Sequence, residues 1–198
     1  RLHTYHRTQG DEEPPPELIV TTDLADLRRA DVVAVAINTN EPLIYAQLDE
    51  HGLPRDLIYQ AMIESGFSPY AYSWAKAAGV WQFIPSTGRR YNMKIDWWVD
   101  ERRDPFSATE GAVGYLTYLY ELFGDWHLAS AAYNAGEGKI GRAIKRYETR
   151  NFWELCQGDY LKPETKDYVP KIIAAAILGK YPERYGLLDE VPEWHDPW

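Results

Sequence analysis

Hydrophobic residues recur at helical spacing along most of the chain from Glu41 onward. Between Pro54 and Ser65, apolar positions follow the i, i+3, i+4 spacing that places side chains on one buried helix face. The segment from Pro105 to Phe123 carries a longer stripe of the same kind, made of Ala108, Ala112, Val113, Leu116, Leu119 and Phe123. This periodicity predicts an all-α protein, and no segment indicates a sheet with equal clarity.

Proline, glycine and capping residues mark where these helices begin and end. Proline suits the first helical turn because its missing N–H would have no partner there, and glycine suits the position just after a helix. We therefore predict helices over Pro42–His51, Pro54–Ser65, a short stretch from Pro85, Pro105–Phe123, Asp125 to Asn134, Gly138 to Tyr147, Phe152–Cys156 and Pro163–Lys180. The apolar, β-branched segment Asp31–Thr39 fits either a strand or a helix.

The chain divides into three parts by composition. Residues 1–38 are predicted to be an N-terminal extension or linker, partly extended, because the acidic run Asp11–Glu13 is followed by three prolines. Within this part, Leu18–Thr22 suggests an extended piece and Asp23–Arg29 a weak helix. Residues 39–186 form the predicted helical domain, and residues 187–198 a Pro-rich C-terminal tail.

Composition is that of a globular domain. Of 198 residues, 45% are hydrophobic and 26% are charged, and the size is that expected of one domain. The longest apolar run, Ile172–Gly179, is too short to span a bilayer. The polar start of the chain has no signal-peptide pattern. Membrane attachment is therefore expected only if a lipid anchor lies upstream of Arg1.

Charge and histidine spacing argue against several classes of ligand. The net charge of −9 disfavours nucleic acid and anionic lipid as partners, and no nucleotide is expected. The five histidines are scattered without the spacing of a metal site, so we expect no metal and no cofactor. The single cysteine, Cys156, excludes an internal disulfide and is interpreted as a small buried hydrophobe.

Aromatic residues are more informative, since the chain has eight tryptophans and fifteen tyrosines. They cluster in the segments Tyr70–Trp81, Tyr91–Trp98 and Tyr115–Phe123. Exposed Trp and Tyr rings can stack on sugar rings while their N–H and O–H groups reach hydroxyls. Ordinary packing in the core and on the surface is the alternative for each ring taken singly.

Glu64 stands out because it falls in the last turn of the predicted helix Pro54–Ser65. The negative end of the helix dipole disfavours a carboxylate there, and the apolar neighbours Met62, Ile63 and Phe67 add desolvation. Both effects should raise the pKa of Glu64 and keep it protonated near neutral pH, as a general acid requires. The alternative from the residues alone is an exposed surface glutamate.

Four ordered motifs carry a resemblance to a known family. They are Glu64-Ser65, the run GVWQFIP from Gly79, the run AYNAG from Ala132, and the run ETKDYV from Glu164. In this order they resemble the signatures of lytic murein transglycosylases with the SLT domain, glycoside hydrolase family 23. The run WQFIPSTGRRYNMK is most similar to the membrane-bound transglycosylase D branch. The resemblance covers about Pro42 to Gly186 and implies a goose-lysozyme-like, mainly helical fold around a glycan-binding cleft.

The resemblance implies a catalytic role for one residue and substrate-binding roles for the others. Glu64 matches the single catalytic acid/base, and Tyr168 matches the tyrosine that hydrogen-bonds it. Residues that would bind or shape the sugar site are Ser65, Ser73, Gly79, Trp81, Gln82, Tyr133, Asn134 and Glu164. Many family members have Leu-Met where this chain has Val80-Trp81, so Trp81 is predicted to alter a sugar subsite.

The implied function is cleavage of the β-1,4 bond between N-acetylmuramic acid and N-acetylglucosamine in peptidoglycan, with a 1,6-anhydro product. A hydrolytic muramidase on the same scaffold is the first alternative. A non-catalytic glycan-binding protein is the second. The negative charge further suggests a preference for deacetylated, cationic peptidoglycan. We expect a monomer in the periplasm, in the cell envelope or secreted.

Overall fold

The computed structural model of the protein describes residues 30–187, with side chains described from residue 40. In this range the helices are α1 (Ala30–Glu50), α2 (Ile58–Ser65), α3 (Pro85–Arg90), α4 (Pro105–Phe123), α5 (Trp126–Ala135), α6 (Glu137–Tyr147), α7 (Phe152–Gln157) and α8 (Pro163–Lys180). Short 3-10 turns cover Arg55–Leu57, Glu101–Arg103 and Glu183–Tyr185. Between residues 30 and 187 there are isolated β-bridges and no strand, which confirms the all-α prediction.

The first helix differs from the prediction. Helix α1 runs unbroken through Pro42, so the predicted helix start at that residue is wrong. Proline removes one backbone donor from a helix interior. Here the helix continues on both sides of this missing hydrogen bond. The ambiguous segment Asp31–Thr39 is helical, and α1 therefore crosses the expected boundary between residues 38 and 39. The predictions for Leu18–Thr22, Asp23–Arg29 and the tail 188–198 lie outside the described residues.

Most other helix ends lie where capping chemistry predicts. Helix α2 ends at Ser65 and is followed by Gly66 in the left-handed conformation. Asp104 and Asp125 accept hydrogen bonds from backbone N–H groups at the starts of α4 and α5. These caps satisfy donors that have no partner within the helix. The predicted span Pro163–Lys180 coincides with α8.

The core lies around α4 and α5. Helix α4 packs on α5 and α1, α5 packs on α6 and α8, and α8 packs on α2. All six residues of the predicted α4 stripe are buried. Burial of this apolar surface is the main favourable term in folding. The separate contact between α2 and α8 holds the C-terminus of α2 in place. No helix between residues 30 and 187 combines the length and the apolar character needed to cross a bilayer.

A buried arginine fixes the two long irregular segments, residues 66–84 and 91–104. Arg102 is 4% exposed, and its Nη1 donates to the carbonyl oxygens of Lys76 and Phe83 at 2.7 and 2.8 Å. Its Nε and Nη2 donate to the Asp100 carboxylate at 2.8 and 2.6 Å. These hydrogen bonds hold the pKa of Asp100 below its ordinary value. A buried charge is tolerated when it is paired and hydrogen-bonded in this way.

Gly79 permits the closest approach between these segments. Its φ is +81°, and a Cβ built there would lie 1.6 Å from the carbonyl oxygen of Arg102. Gly79 is buried, so the neighbour that requires glycine is the Arg102 backbone. The predicted substrate contact of Gly79 stays a prediction.

Gly79→Ala should destabilise the fold severely, because it adds a backbone clash to an unfavourable φ. We expect a loss of at least about 3 kcal/mol in the free energy of unfolding. Gly124→Ala is the matched control, since Gly124 has a φ of +65° with nothing within 4 Å of the added Cβ. Its loss should be about 1–2 kcal/mol. Equal losses in urea denaturation would show that the contact with Arg102 is unimportant.

Candidate active site

The Glu64 carboxyl lies where α2 ends against α8. The hydroxyl of Tyr168 donates a hydrogen bond to Glu64 Oε1 at 2.5 Å, across 104 residues of sequence. Tyr168 is buried on the inner face of α8, while Glu64 keeps a small exposed fraction. The structure therefore brings together two residues that the sequence predicts to be partners.

The environment of Glu64 favours its neutral form. The pKa of Glu64 is raised from 4.5 to about 7. Burial is the largest cause, the hydrogen bond from Tyr168 opposes it, and the negative charge of Glu164 adds a smaller rise. The direction agrees with the sequence prediction, and burial is the dominant cause. A carboxyl that is partly protonated at neutral pH can donate a proton and afterwards accept one.

Glu164 is held close to Glu64 by a hydrogen-bonded pair. Asn134, at the end of α5, donates from Nδ2 to Glu164 Oε1 at 3.3 Å. Thr165 donates from Oγ1 to Asn134 Oδ1 at 3.0 Å, which orients the amide. Sequence analysis missed Thr165, although it follows Glu164 within the same motif. The predicted residues Asn134 and Glu164 thus form one wall beside Glu64.

Tyr133 is fixed by its hydroxyl and by its ring. The hydroxyl donates to the carbonyl oxygen of Trp81 at 2.7 Å, and the ring lies 5.2 Å from that of Tyr115. Burial, followed by the charge of Glu64, raises the pKa of Tyr133 well above its ordinary value. Tyr115 in turn donates to Glu137 Oε2 at 3.2 Å, and Arg90 forms a 2.9 Å ion pair with Glu137. Tyr115 was noted only as part of an aromatic cluster and Glu137 was not singled out, because only tertiary packing brings them to Tyr133.

Ser65 ties the end of α2 to the loop 66–84, and Ser73 and Gln82 form hydrogen bonds within that loop. Ser65 Oγ donates to the Val80 carbonyl at 2.8 Å, and Ser73 Oγ accepts from the Ala77 N–H at 3.1 Å. Gln82 has a φ of +50°, and its Nε2 donates to the carbonyl oxygens of Ala71 and Gly79. Among the described residues nothing donates to Gln82 Oε1, so this partly exposed oxygen is available to a ligand.

Trp81 does not have the predicted role. Its side chain is 0% exposed, and its Nε1 donates to Thr109 Oγ1 at 3.0 Å inside the core. A direct contact between this indole and a sugar is therefore excluded. The prediction that the Trp81 side chain contacts the substrate is wrong. The aromatic residue at this position packs α4 against the loop, and Trp81 contributes to the site through its backbone carbonyl.

Other candidate chemistry lies away from Glu64. Among the described residues, no three His, Cys, Asp or Glu side chains are placed to hold a metal ion. Cys156 is half-buried, and burial raises the pKa of its thiol to about 11. A groove of about 490 Å³ runs along α4 beside Tyr91 and Met93, and none of the predicted site residues line it. The environment of Glu64 therefore defines the candidate site.

Comparison with known proteins shows which family the chain resembles. The sequence profile of the transglycosylase SLT domain matches residues 42–156. Membrane-bound lytic murein transglycosylase D from Escherichia coli (strain K12) is 42% identical over 155 residues, which make up 74% of this chain and 33% of that protein. Membrane-bound lytic murein transglycosylase C from Haemophilus influenzae (strain PittEE) is 32% identical over 130 residues, 59% of this chain and 36% of that protein. The chain thus spans about one third of these relatives.

Solved structures show the same fold at lower identity. The 70 kDa soluble lytic transglycosylase SLT70 from Escherichia coli matches with a TM-score of 0.61 at 24% identity, over 72% of this chain and 24% of that one. An inactive mutant of lytic transglycosylase Slt from Pseudomonas aeruginosa matches with a TM-score of 0.60 at 23% identity, over 79% of this chain and 26% of that one.

The fold and the site define a class, a lysozyme-like helical domain with a largely buried glutamate carboxyl at a helix end. The profile covers more than half of the chain, so the chain belongs to the transglycosylase SLT domain family. The resemblance to the transglycosylase D branch is also confirmed.

The two neighbours of Glu64 should move its pKa in opposite directions. Tyr168→Phe removes a hydrogen bond that stabilises the carboxylate, so the pKa of Glu64 should rise. Glu164→Gln removes a negative charge while keeping an oxygen for Asn134, so the pKa should fall. NMR titration of the Glu64 carboxyl carbon measures both changes. Shifts of the same sign in the two variants would contradict this assignment of causes.

Proposed function

We propose that this chain is the catalytic domain of a lytic transglycosylase that cleaves peptidoglycan, with Glu64 as its single acid/base. The observation that supports this most strongly is the Glu64 carboxyl, whose burial raises its pKa to about 7 while Tyr168 holds it by a hydrogen bond. Membership of the SLT domain family and the names of the relatives support the same activity. The substrate is the β-1,4 bond between N-acetylmuramic acid and N-acetylglucosamine.

The reaction uses Glu64 twice. Protonated Glu64 donates its proton to the glycosidic oxygen as the bond from that oxygen to C1 breaks. The oxygen of the 2-acetamido group attacks C1 and forms a cyclic intermediate. The Glu64 carboxylate then accepts the proton of the muramic acid 6-hydroxyl, and that oxygen bonds to C1 as the acetamido oxygen leaves. The product is a 1,6-anhydro end, and Glu64 is again protonated.

Substrate assistance explains how one carboxyl is sufficient. Most glycosidases use two carboxyl groups, and enzymes in which a substrate acetamido group attacks C1 are exceptions. Glu164 is close enough to raise the pKa of Glu64, and its hydrogen bond with Asn134 makes it part of the cleft wall. Its charge adds to the effect of burial, which favours the acid form of Glu64 before the first proton transfer.

The remaining predicted residues take supporting roles. Gln82 Oε1 is available to accept a hydrogen bond from a sugar hydroxyl or amide, while its Nε2 is held by two carbonyl groups. Ser73, Tyr133 and Asn134 line the path on either side of the reacting bond, and Ser65 fixes the end of α2 to the loop. The partner is a peptidoglycan glycan strand, without metal or cofactor, and the location is the periplasm or cell envelope.

A hydrolytic muramidase is the second candidate, and Glu164 is the observation that favours it. In that reaction Glu164 or the polar loop would hold a water molecule, which replaces the 6-hydroxyl as the nucleophile. The product would then carry a reducing end. Both candidates use Glu64 as the acid, so product chemistry separates them.

Mass spectrometry of digested sacculi tests the proposal. Wild-type protein should release muropeptides with 1,6-anhydro ends, and Glu64→Gln should release them at least about 100-fold more slowly, because a general acid contributes about 10²–10⁴-fold. The Gln variant keeps an oxygen that can accept the Tyr168 hydrogen bond, so the fold should be retained while the proton donor is lost. Reducing ends alone would support the muramidase. Equal rates from wild type and variant would remove Glu64 from the mechanism.

A further inference from the structure

Three tryptophans lie exposed at the tips of two turns, one turn in each of the irregular segments 66–84 and 91–104. Trp74 is fully exposed, and Trp97 and Trp98 are 90% and 88% exposed. Tyr70 and Tyr72 are also exposed and alternate with Ala71 and Ser73 along the chain toward Trp74. A group of large apolar side chains left in water indicates an interaction surface more strongly than a single exposed residue does.

The first turn, around Trp74, is held by its own backbone. The Ser73 N–H donates to the Ala77 carbonyl at 2.9 Å, and the Lys76 N–H donates to the Ser73 carbonyl at 2.9 Å. Tyr72 and Ala78 form an antiparallel bridge at its base. Trp74 contributes no packing to this turn, so its indole is not needed to hold the turn closed.

The second turn, around Trp97 and Trp98, is built in the same manner. Ile95 and Asp100 form the antiparallel bridge at its base, and the Asp96 N–H donates to the Val99 carbonyl at 2.8 Å. Asp96 Oδ1 accepts from the N–H groups of Trp98 and Val99 at 2.7 and 2.9 Å. Both turns are therefore fixed by hydrogen bonds, and the three indoles remain free to contact a ligand.

Arg102 joins the two turns. Its guanidinium donates to the Lys76 carbonyl in the first turn and to the Asp100 carboxylate at the base of the second. The Arg103 guanidinium lies 5.7 Å from the centre of the Tyr72 ring, which adds a second link. Because the backbone of both turns is already fixed, binding costs conformational entropy mainly in the side chains.

We propose that Trp74, Trp97 and Trp98, with Tyr70 and Tyr72, form an aromatic platform that stacks on N-acetylated sugar rings of a glycan strand beyond the cleaved bond. This inference rests on the proposed function. The platform would hold a long strand while Glu64 acts on it. Apolar ring faces suit the C–H faces of sugars, and the indole N–H groups suit their hydroxyl and amide oxygens.

The connection to the candidate site favours a glycan over a membrane as the ligand. The loop that carries Trp74 also carries Ser73, and Gln82 donates back to Ala71 in the same loop. A strand that reaches Gln82 therefore passes the loop on which the platform begins. The net charge of −9 disfavours docking on anionic lipid, whereas it does not oppose a sugar ring.

Binding to purified sacculi in the Glu64→Gln background tests the platform without turnover. Trp97→Ala/Trp98→Ala and Trp74→Ala should each bind at least tenfold more weakly in co-sedimentation. Trp97→Tyr/Trp98→Tyr should retain most of the binding, because tyrosine also stacks. Trp153→Ala is the matched control, since Trp153 is 42% exposed on α7, outside both turns. Chitohexaose should quench the tryptophan fluorescence of the parent and quench the double Ala variant less.

Three results would overturn the platform. The platform variants could bind sacculi as tightly as Trp153→Ala does. The Glu64→Gln parent could fail to bind sacculi at all. The Trp97→Ala/Trp98→Ala variant could lose binding to phosphatidylcholine–phosphatidylglycerol vesicles while keeping its binding to sacculi, which would identify a membrane surface. Anhydro products from wild-type protein would leave the proposed function standing in each case.

Discussion

The buried Glu64 carboxyl under the Tyr168 hydroxyl is the contact on which the site depends. It joins the end of α2 to the inner face of α8, two elements far apart in sequence. Burial makes the charged form of Glu64 unfavourable, and a single hydrogen bond only partly compensates for it. Burial of ionised Glu64 destabilises the fold. The same burial keeps Glu64 partly protonated near neutral pH, so that it can act as an acid.

The packing of the helices determines which groups can influence Glu64. Because α5 and α2 both pack on α8, Asn134 and Glu164 come to lie beside the carboxyl. On the other side, Ser65 and the Tyr133 hydroxyl bind the carbonyls of Val80 and Trp81 and hold the loop against the helices. Arg102 also holds this loop, through hydrogen bonds to the carbonyl oxygens of Lys76 and Phe83. The chemistry is thus local, while its support extends across most of the domain.

The sequence predicted features that depend on neighbouring residues. It did not predict features that depend on packing between distant segments. Helix ends at Ser65, Pro105 and Phe123 were predicted because capping is decided within a few residues. The direction of the Glu64 pKa followed from its apolar neighbours, although the contribution of Glu164 required the fold. The prediction for Trp81 was wrong, because the pattern does not reveal whether a loop tryptophan faces water or the core. The predicted helix start at Pro42 was also wrong, since a helix can continue past a proline.

The most direct test of the central claim is the pH dependence of stability in wild type and Glu64→Gln. With a pKa of about 7 in the folded state and an ordinary value of 4.5, folded Glu64 binds more protons than unfolded Glu64 between these two values. The stability of wild type should therefore fall relative to that of the variant as the pH rises from 4 to 8. The relative change should be about 3 kcal/mol. A difference that stays constant with pH, or a relative gain for wild type, would contradict a buried, protonated Glu64.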